Sequence, residues 1–580
     1  MTSSLSKSIV SFLLVAVFGW ALCACQTATK PLEGPTVSSP DFGPNVFVFD
    51  PSMPDVQQHV DQVFKRQEKS QFGSDRYALL FKPGKYPLDM QVGFYTHVAG
   101  LGRSPDEVEI EGAVRAHANW MKGNATCNFW RSVENLSIAP TSIDIPNMWG
   151  VSQGASMRRV HVKGDLLLAD HGWSSGGFLS DCKIDGEVNS GSQQQWFSRN
   201  CDWDKWVGGN WNMVFVGCEK PPEGEWPERP YTVIERTPVA REKPFLFIDE
   251  AGRYFVMVPE LRRETSGVTW ASGPGGGTPI SLEHFFIARP ERDSVADINA
   301  ALANGKHLLL TPGIYHLDSP IRVPHPGTVV FGLGYPTLVA ESGMPAMTIA
   351  DVSGVTIAGV LLDAGEIPSP TLLQVGESEK SLFHAADPTM LFDVFCRAGG
   401  ATAGSTKSFV NIRSNNVIGD NLWLWRADHG KGTKWLVNRN ENGLIVDGDD
   451  VVMYGLFVEH CHEYQTVWNG EGGKVYFYQS EMPYDPPRQE AWMHDGVQGF
   501  ASYKVADHVK THEAWGLGVY CVFWAAPIVA ETAIEAPEHP GISMNHMTTI
   551  RLNGKADSGI CHVINGRGEA VMYQQKAVVK

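Results

Sequence analysis

Apolar residues in this chain recur in short runs that are separated by Gly, Asn or Asp. Runs such as VENLSIAP, MRRVHVKGDLLLAD and GVTIAGVLLDAG return at the spacing of about 8–12 residues that is typical of short β-strands. Sandwiches, propellers and solenoids all show such a period. Because the strands meet at Asn or Gly corners without helical intervals, the pattern favours a right-handed parallel β-helix, whose stacked coils share ladders of inward residues.

The chain also contains two similar halves. LLFKPGKYPLDMQVGFYTHVAGLG begins at Leu79, and LLLTPGIYHLDSPIRVPHPGTVVFGLG begins at Leu308. Each passage follows a segment with helical periodicity, DVQQHVDQVF from Asp55 and SVADINAALANG from Ser294, and such a helix can cover the open end of a first coil. The sequence therefore predicts an all-β, pectate-lyase-like fold of two tandem right-handed parallel β-helices, packed side by side with a cleft between them.

The predicted boundaries place the first β-helix unit at residues 45–220, a linker at 221–285 and the second unit at 286–580. The linker is rich in Pro and Gly, which suits a segment that crosses between units. Within it, KPFLFIDEAGRYFVMVPEL predicts a hairpin that turns at Glu250-Ala251-Gly252.

Residues 1–24 have the features of an export signal, with Lys7 before the apolar run IVSFLLVAVFGWAL. This run is too short for a confident transmembrane span. It ends in LCAC, which resembles the bacterial lipobox and predicts lipidation of Cys25; ordinary cleavage near Ala24 is the alternative. Residues 25–44 are then a tether. We expect an exported monomer, either secreted or held in the cell envelope, with no membrane contact besides this anchor.

The net charge and the cysteine spacing limit which ligands the chain is expected to bind. A net charge of −17 argues against nucleic acid, whose phosphates need basic patches. Eight cysteines follow the LCAC motif without a CxxC pair, so no zinc site is expected, and both disulfides and buried single thiols remain open. VDGDDV, at Asp447–Asp450, can bind calcium or simply form a solvated turn. We predict no metal and no cofactor.

Two glutamates carry the best candidate chemistry. Glu459 and Glu481 end strong strands and are separated in sequence by about one coil, and equivalent positions in successive coils lie about 4.8 Å apart. Two carboxyls held together do not ionise equally, because like charges raise one pKa. A protonated and an ionised carboxyl are what glycoside hydrolysis needs. Two unrelated surface glutamates are the alternative.

Aromatic and amide residues indicate a carbohydrate ligand, since sugar rings stack on aromatic faces and hydroxyls bind amides. Eighteen tryptophans are present in the chain. In the first unit Gln153 and Ser175 have the same separation as the two glutamates. The remaining predicted substrate-binding residues are Gln193, Gln194, Trp211, Tyr464, Tyr484, Glu513 and Trp515. Core ladders, inward Gln stacks and strand-end turns are the alternatives for each of them.

Several motifs together resemble glycoside hydrolase family 55, the exo-β-1,3-glucanases. They are VEHCHEYQ and YFYQSEMPYDPP in the second unit and VSQGASMRRV, SSGGFLSDC and GSQQQWFSRNCDW in the first. The resemblance implies an inverting hydrolase with its site between the two β-helices. It implies that Glu481 is the general acid, that Glu459 tunes it, and that Gln153 and Ser175 hold the attacking water. It assigns no general base.

One position departs from the expected family pattern, because Ser480 stands where a threonine is expected before Glu481. The sequence thus predicts exo-acting hydrolysis of a β-1,3-glucan or a related polysaccharide. Two alternatives stay open: a polysaccharide lyase, which would release an unsaturated product, and a glycan-binding β-helix that releases nothing.

Overall fold

The computed structural model describes residues 40–142, 145–376, 382–572 and 575–580. The predicted export signal, Cys25 and most of the tether lie outside these residues. No helix in the described part of the chain is long and apolar enough to cross a membrane. Strands, most of them paired in parallel, make up nearly all of the regular secondary structure of the described residues, and the predicted all-β class is confirmed.

The first unit is built around one main sheet, whose strands pair in parallel in chain order. Its strands are Val46–Phe49, Tyr77–Phe81, Thr96–Gly100, Arg131–Ala139, Ala155–Val162, Phe178–Ser180, Gln195–Arg199, Asn212–Val216 and Tyr231–Ile234. Further strands close the other sides of the coils: Gly84–Tyr86, Asp89–Gln91, Val108–Glu111, Ala113–Arg115, Asn147–Met148, Leu166–Leu167, Lys183–Asn189 and Asp202–Val207. The main sheet runs to Ile234, past the sequence-based boundary at residue 220.

The second unit has two long sheets that run along it. Its main sheet contains Phe285–Ala288, His307–Leu310, Val329–Gly332, Thr356–Ala364, Thr389–Ala398, Val417–Arg426, Val452–Glu459, Gly473–Glu481, His512–Phe523, Ile542–Gly554 and the antiparallel Lys576–Val579, with Ile314–Leu317 and Thr337–Ala340 beside it. Its other sheet contains Ile321–Val323, Met347–Ile349, Ser369–Val375, Thr406–Ile412, Asn440–Val446, Thr466–Trp468, Tyr503–Val505, Val529–Glu535 and Gly559–Ile564. Met493–His494 and Val497–Gln498 form a small hairpin.

Both predicted helices are present, at Val56–Gln67 and Val295–Ala303. The second begins at a capping box, in which the Ser294 hydroxyl accepts from Asp297 N–H and the Asp297 carboxylate accepts from Ser294 N–H. Each helix buries its apolar face against the first coils of its unit, through Val60 in one and Ile298 in the other. Short 3₁₀ turns occur at Pro105–Glu107, Asn119–Met121, Leu282–His284 and Gln489–Ala491.

The linker forms two small antiparallel sheets. One pairs Thr237–Ala240 with Arg262–Thr265. In the other, Phe245–Ile248 pairs with Tyr254–Pro259, which also pairs with Gly277–Ser281. The turn at Asp249–Arg253 lies where the sequence predicts a hairpin, and the Asp249 carboxylate holds it by accepting from Arg253 N–H at 2.8 Å.

Every strand in the middle of the second main sheet bends at the same position. The residues there have a left-handed backbone, with φ between +47° and +72°, and they lie in register from coil to coil: Gly359, Asp393, Asn421, Gly455, Phe477, Gly516 and His546. Two of the glycines also permit close approach of the first unit. A Cβ at Gly455 would lie 2.9 Å from the Phe178 ring, and one at Gly516 would lie 2.4 Å from Val214.

The two main sheets face each other across the middle of the molecule. Their strands are buried along their whole length, as in Ala155–Val162 and Val452–Glu459, because one face lies against the unit's own interior and the other against the partner unit. Besides one apolar core inside each unit, a third cluster lies between the units. Its members include Tyr95, Trp130, Phe178, Phe197, Phe395, Trp423, Trp425 and Phe457. The expected side-by-side packing is therefore present.

Buried ion pairs join the two units within this interface. Arg158 of the first unit bonds both oxygens of Asp393, at 2.8 and 3.0 Å, and Asp420 at 2.6 Å, on two neighbouring strands of the second unit. Arg199 bonds Asp420 at 2.9 Å and makes a two-pronged pair with Glu242 of the linker, at 2.6 and 2.8 Å. Each charged group is almost completely buried and has an opposite partner, so this network (Arg158, Arg199, Glu242, Asp393 and Asp420) fixes how the units dock.

Replacing Arg158 with methionine should strongly destabilise the protein, because Asp393 and Asp420 would lose their shared buried partner. Breaking a buried ion pair on one side costs about 3–5 kcal/mol, and the melting temperature should fall by several degrees in a thermal unfolding scan. Lys205→Met removes the exposed ion pair with Glu187 and should change the melting temperature little. Equal effects of the two substitutions would contradict this account of the interface.

Candidate active site

Glu459 and Glu481 lie side by side at the ends of adjacent parallel strands. The strands Val452–Glu459 and Gly473–Glu481 pair so that the two glutamates are direct register partners. On the flanking strands, Trp425 is the register partner of Glu459 and Tyr520 that of Glu481. The pair therefore belongs to one column of side chains at the edge of the second main sheet, with about 4.8 Å between successive members.

Both oxygens of Glu459 are engaged by N–H donors. Gln153 Nε2 of the first unit donates to Oε1 at 2.8 Å, and Trp423 Nε1 donates to Oε2 at 2.9 Å. The Trp423 ring reaches this position because residue 154 is a glycine: a Cβ there, at φ +68°, would lie 2.8 Å from the ring. Glu459 is thus held on two sides, and only 3% of the residue is exposed.

Glu481 is more accessible, with 15% of its side-chain surface exposed. Tyr484 donates a short hydrogen bond from its hydroxyl to Glu481 Oε2, and His460 Nε2 lies 3.9 Å from the same oxygen. The turn that carries Tyr484 is anchored by Asp485, whose carboxylate accepts two hydrogen bonds of 2.8 Å from the buried Arg426 guanidinium. This anchoring keeps the phenol against the carboxyl.

The environment raises the pKa of both glutamates. Burial raises the pKa of Glu459 well above its ordinary range, and the charge of Glu481 raises it further against the opposing N–H donors. Burial also raises the pKa of Glu481, although His460 and the Tyr484 hydroxyl oppose the rise. Both shifts favour retention of a proton by the pair above the ordinary pH range of a glutamate. Both oxygens of Glu459 accept N–H bonds of 2.8–2.9 Å, whereas Glu481 Oε1 has only a long contact of 3.4 Å from Gln479 Nε2, so this oxygen has room for that proton.

A second column faces this pair from the first unit. The register of its main sheet aligns Gln153, Ser175, Gln194 and Trp211 in successive coils. Contacts at both ends fix how the columns face each other: Gln153 bonds Glu459 at one end, and at the other the Trp211 ring lies 5.3 Å from the Tyr520 ring. Ser175 therefore lies between these contacts, on the wall opposite Glu481. Its N–H donates to the Ser152 hydroxyl at 2.9 Å.

Four other predicted site residues lie elsewhere. Gln193 is buried in the first unit, where its amide donates to the carbonyls of two neighbouring coils. Tyr464 packs on His494 and Phe500 beyond the strand end. Glu513 and Trp515 bond each other at 2.6 Å near the start of their strand. Trp515 is the register partner of Tyr476, which lies on the same strand as Glu481. Tyr476 comes five residues before Glu481, which corresponds to roughly 16 Å along the strand.

Sequence reasoning overlooked several residues that contact or flank the pair. The sequence assigned no role to Trp423, Gln195 or Tyr520, and Asp428 is a further charged residue near the pair. The charges of His460 and His429 and a 2.8 Å hydrogen bond from His429 outweigh burial and lower the pKa of Asp428 to about 2. Tyr520 could have been noticed, because it lies toward the end of the next long apolar strand after Glu481. The coil between them is longer than the others, so the spacing did not show that the two residues are in register.

Metal ligands and cysteines were the other candidate groups in the sequence. No group of three or more His, Cys, Asp or Glu side chains there is arranged to hold a metal ion. In VDGDDV, Asp447 accepts from Asn469 and Asp449 accepts from Glu471 N–H, so both make contacts between turns of adjacent coils. The eight cysteines at positions 127 to 561 have free thiols.

Comparisons with known proteins identify relatives of this chain. Residues 285–481 match the family model described as the LAM55 pectate lyase-like domain. An exo-β-1,3-glucanase of Streptomyces sp. (strain SirexAA-E / ActE) is 48% identical over 537 residues, which cover 92% of this chain and 88% of that protein.

Two solved structures from Streptomyces sp. SirexAA-E are also similar. That of sacteLam55A has a TM-score of 0.91 and 47% identity, and covers 93% of this chain and 98% of the other. A glutamate-to-alanine variant of sacteLam55A in complex with glucose gives a TM-score of 0.91 and 46% identity, covering 94% and 98%.

Glu459→Gln should become more stable than the parent protein as the pH rises. Below the ordinary glutamate pKa of 4.5, the folded and unfolded chains both hold the proton. Above it, the unfolded chain ionises both glutamates whereas the folded pair retains one proton between them, so the parent loses stability as the pH rises toward the raised pKa of the pair. Melting temperatures between about pH 4.5 and 7 should show the variant gaining on the parent. The exposed Glu228→Gln should show no such trend, and a pH-independent difference for Glu459→Gln would contradict the raised pKa.

Proposed function

This chain belongs to glycoside hydrolase family 55, and we propose that Glu481 is the general acid with which it hydrolyses a β-1,3-glucan. One observation carries the assignment: Glu481 is a carboxyl with a raised pKa that remains accessible, beside a buried carboxyl that is already fully bonded. A general acid must hold its proton at the working pH and reach the glycosidic oxygen. Of the two glutamates, Glu481 combines a raised pKa with access to the cleft.

The role proposed for Glu459 is to tune this acid. The N–H bonds from Gln153 and Trp423 favour the ionised form of Glu459, which leaves the proton of the pair on Glu481. Glu459 is poorly placed as the general base of an inverting reaction. The acid and base of such enzymes are about 6.5–9.5 Å apart, with water between them, whereas register partners on adjacent coils are separated by about 4.8 Å.

Gln153 and Ser175 are proposed to hold the attacking water on the opposite wall of the cleft. Ser175 carries a hydroxyl that can donate and accept, and Gln153 has its amide oxygen available while Nε2 bonds Glu459. A sugar between the two columns would have the acid on one face and this water on the other, as inversion requires. Trp211 at the end of the same column is the proposed stacking surface for a sugar ring, and Gln194 a hydroxyl partner.

Exo-action on a β-1,3-glucan is proposed because the Streptomyces relative is named an exo-β-1,3-glucanase and is 48% identical. A related polysaccharide is the second candidate, because Ser480 replaces the threonine expected beside the acid. Incubation with a panel of β-glucans, with the released sugars identified by mass and their anomeric form by NMR, distinguishes these cases. Release of one small sugar as its α-anomer supports exo-action with inversion, and a mixture of oligosaccharides indicates endo-action.

Glu481→Gln should lower kcat on laminarin by about 10²–10⁴-fold, the usual contribution of a general acid, while the melting temperature stays close to that of the parent. The isosteric amide can still accept the Tyr484 hydroxyl but has no acidic proton to give. Glu463→Gln is a matched control, because Glu463 lies in the turn after Glu459 and donates its N–H to Glu441. Retention of parental turnover by Glu481→Gln would reject the assignment.

Export and lipid anchoring are further proposals, supported by the n-region Lys7, the apolar run and the LCAC motif. The enzyme would then act as a monomer at the bacterial cell envelope, on polysaccharide that cannot enter the cell. Its membrane contact would be limited to the acyl chains at Cys25.

Cys25→Ala should move the expressed protein from the membrane fraction to the soluble fraction and abolish incorporation of a labelled fatty acid. The reason is that the thiol is the attachment point of the lipid. Cys127→Ala, which leaves the motif intact, should not change the fractionation. Soluble parent protein with no incorporated label would favour ordinary cleavage near Ala24 instead.

A further inference from the structure

Gln195 forms a hydrogen-bonded bridge between the two walls of the cleft. Its Oε1 accepts from the Tyr520 hydroxyl of the second unit at 2.7 Å, and its Nε2 donates to the Ser175 carbonyl of the first unit at 2.8 Å. Gln195 and Tyr520 are both almost completely buried, at 1% and 2% exposure. The amide is therefore shielded from water and has a defined donor side and acceptor side.

Each end of this bridge is next to a residue of the proposed reaction. Tyr520 is the direct register partner of Glu481 on the adjacent strand. The carbonyl that Gln195 binds belongs to Ser175, whose hydroxyl is proposed to hold the attacking water. Gln195 has no hydrogen bond to Glu459 or Glu481 in the described structure, so any effect it has on the reaction acts through its two partners.

We propose that Gln195 is a positioning residue, whose amide sets the distance between the water-holding Ser175 and the acid Glu481. This inference rests on the function proposed above. The ion network fixes how the units dock as a whole, and at the cleft itself Gln153 joins the two walls at Glu459. Gln195 supplies a second joint two coils further along, on the far side of Ser175, so the two amides together set the local width of the cleft.

The chemistry of the bridge provides a specific test. An amide donates from one end and accepts at the other, whereas a carboxylate only accepts. In Gln195→Glu, the protonated carboxyl can reproduce both bonds, but the ionised carboxylate would face the Ser175 carbonyl oxygen without a proton between them. The variant should therefore keep its turnover when this carboxyl is protonated and lose it as the carboxyl ionises. The parent has no ionisable group at this position.

The measurement is the ratio of variant kcat to parent kcat on laminarin across the pH range in which both remain folded. For Gln195→Glu we expect a ratio within a few-fold of one at the acid end, falling by about 10²-fold as the pH rises, since a displacement of about 1 Å costs that much. KM should change less than kcat, because the substrate contacts are kept. Tyr520→Phe removes the same hydrogen bond without adding an ionisable group, so its ratio should be lowered but independent of pH.

Gln67→Glu is the matched control. Gln67 is a fully buried amide of the first unit that donates to the Asp75 and Phe94 carbonyls, so the substitution introduces the same buried ionisable group away from the cleft. Its melting temperature should fall with rising pH while the kcat ratio stays flat. A flat ratio for Gln195→Glu, or the same slope for Gln67→Glu, would overturn the positioning role. If the parent releases no sugar from any β-glucan, the proposed function fails first and this inference fails with it.

Discussion

The docking of the two β-helix units depends on the buried ion network at their interface. Arg158 and Arg199 reach from the first unit to Asp393 and Asp420 on the second, and Glu242 ties the linker to the same charges. Apolar surfaces can slide over one another at little cost, but a buried charge displaced from its partner costs several kcal/mol. The network therefore allows one offset between the two sheets, and the apolar cluster around Trp130 and Phe178 fills the space that this offset leaves.

This docking determines the geometry of the cleft. Within each wall, the spacing of side chains is set by backbone hydrogen bonds between coils. The offset between the walls is set by the contacts between the units. Gln153 lies just before the strand that carries Arg158, so placing Arg158 against Asp393 also places Gln153 against Glu459. The same rigidity keeps two carboxyls together despite their mutual repulsion, an arrangement in which stability is given up for function.

Features that depend on local pattern could be predicted from sequence. The apolar period predicted the coils, the repeated Pro-Gly passage predicted two units, and a separation of one coil predicted that Glu459 and Glu481 are neighbours. Features that depend on how the units meet could not be predicted. Glu513 and Trp515 belong to a strand that reaches the cleft, but their positions lie toward its opposite end.

The run Gln193-Gln194-Gln195 illustrates the same limit. From sequence, the first two were assigned to the ligand and the third was passed over. In the structure, the Gln193 side chain bonds within its own unit, whereas Gln195 bonds to the opposite unit. Which of three identical amides faces a partner depends on a corner of one or two residues, and the residue types alone carry no information about it.

The shared register of Glu459 and Glu481 has a consequence for how such a site can evolve. Their separation is one rung of a hydrogen-bonded ladder, so it cannot be adjusted by small amounts through point mutation. Inserting a single coil between them would move the carboxyls from about 5 Å to about 10 Å apart. The first distance suits a carboxyl that tunes its neighbour, and the second approaches that of an acid and a base with a water between them. In a β-helix, therefore, the distance between two catalytic carboxyls changes only in steps of one coil, and the roles that the two groups can take change with it.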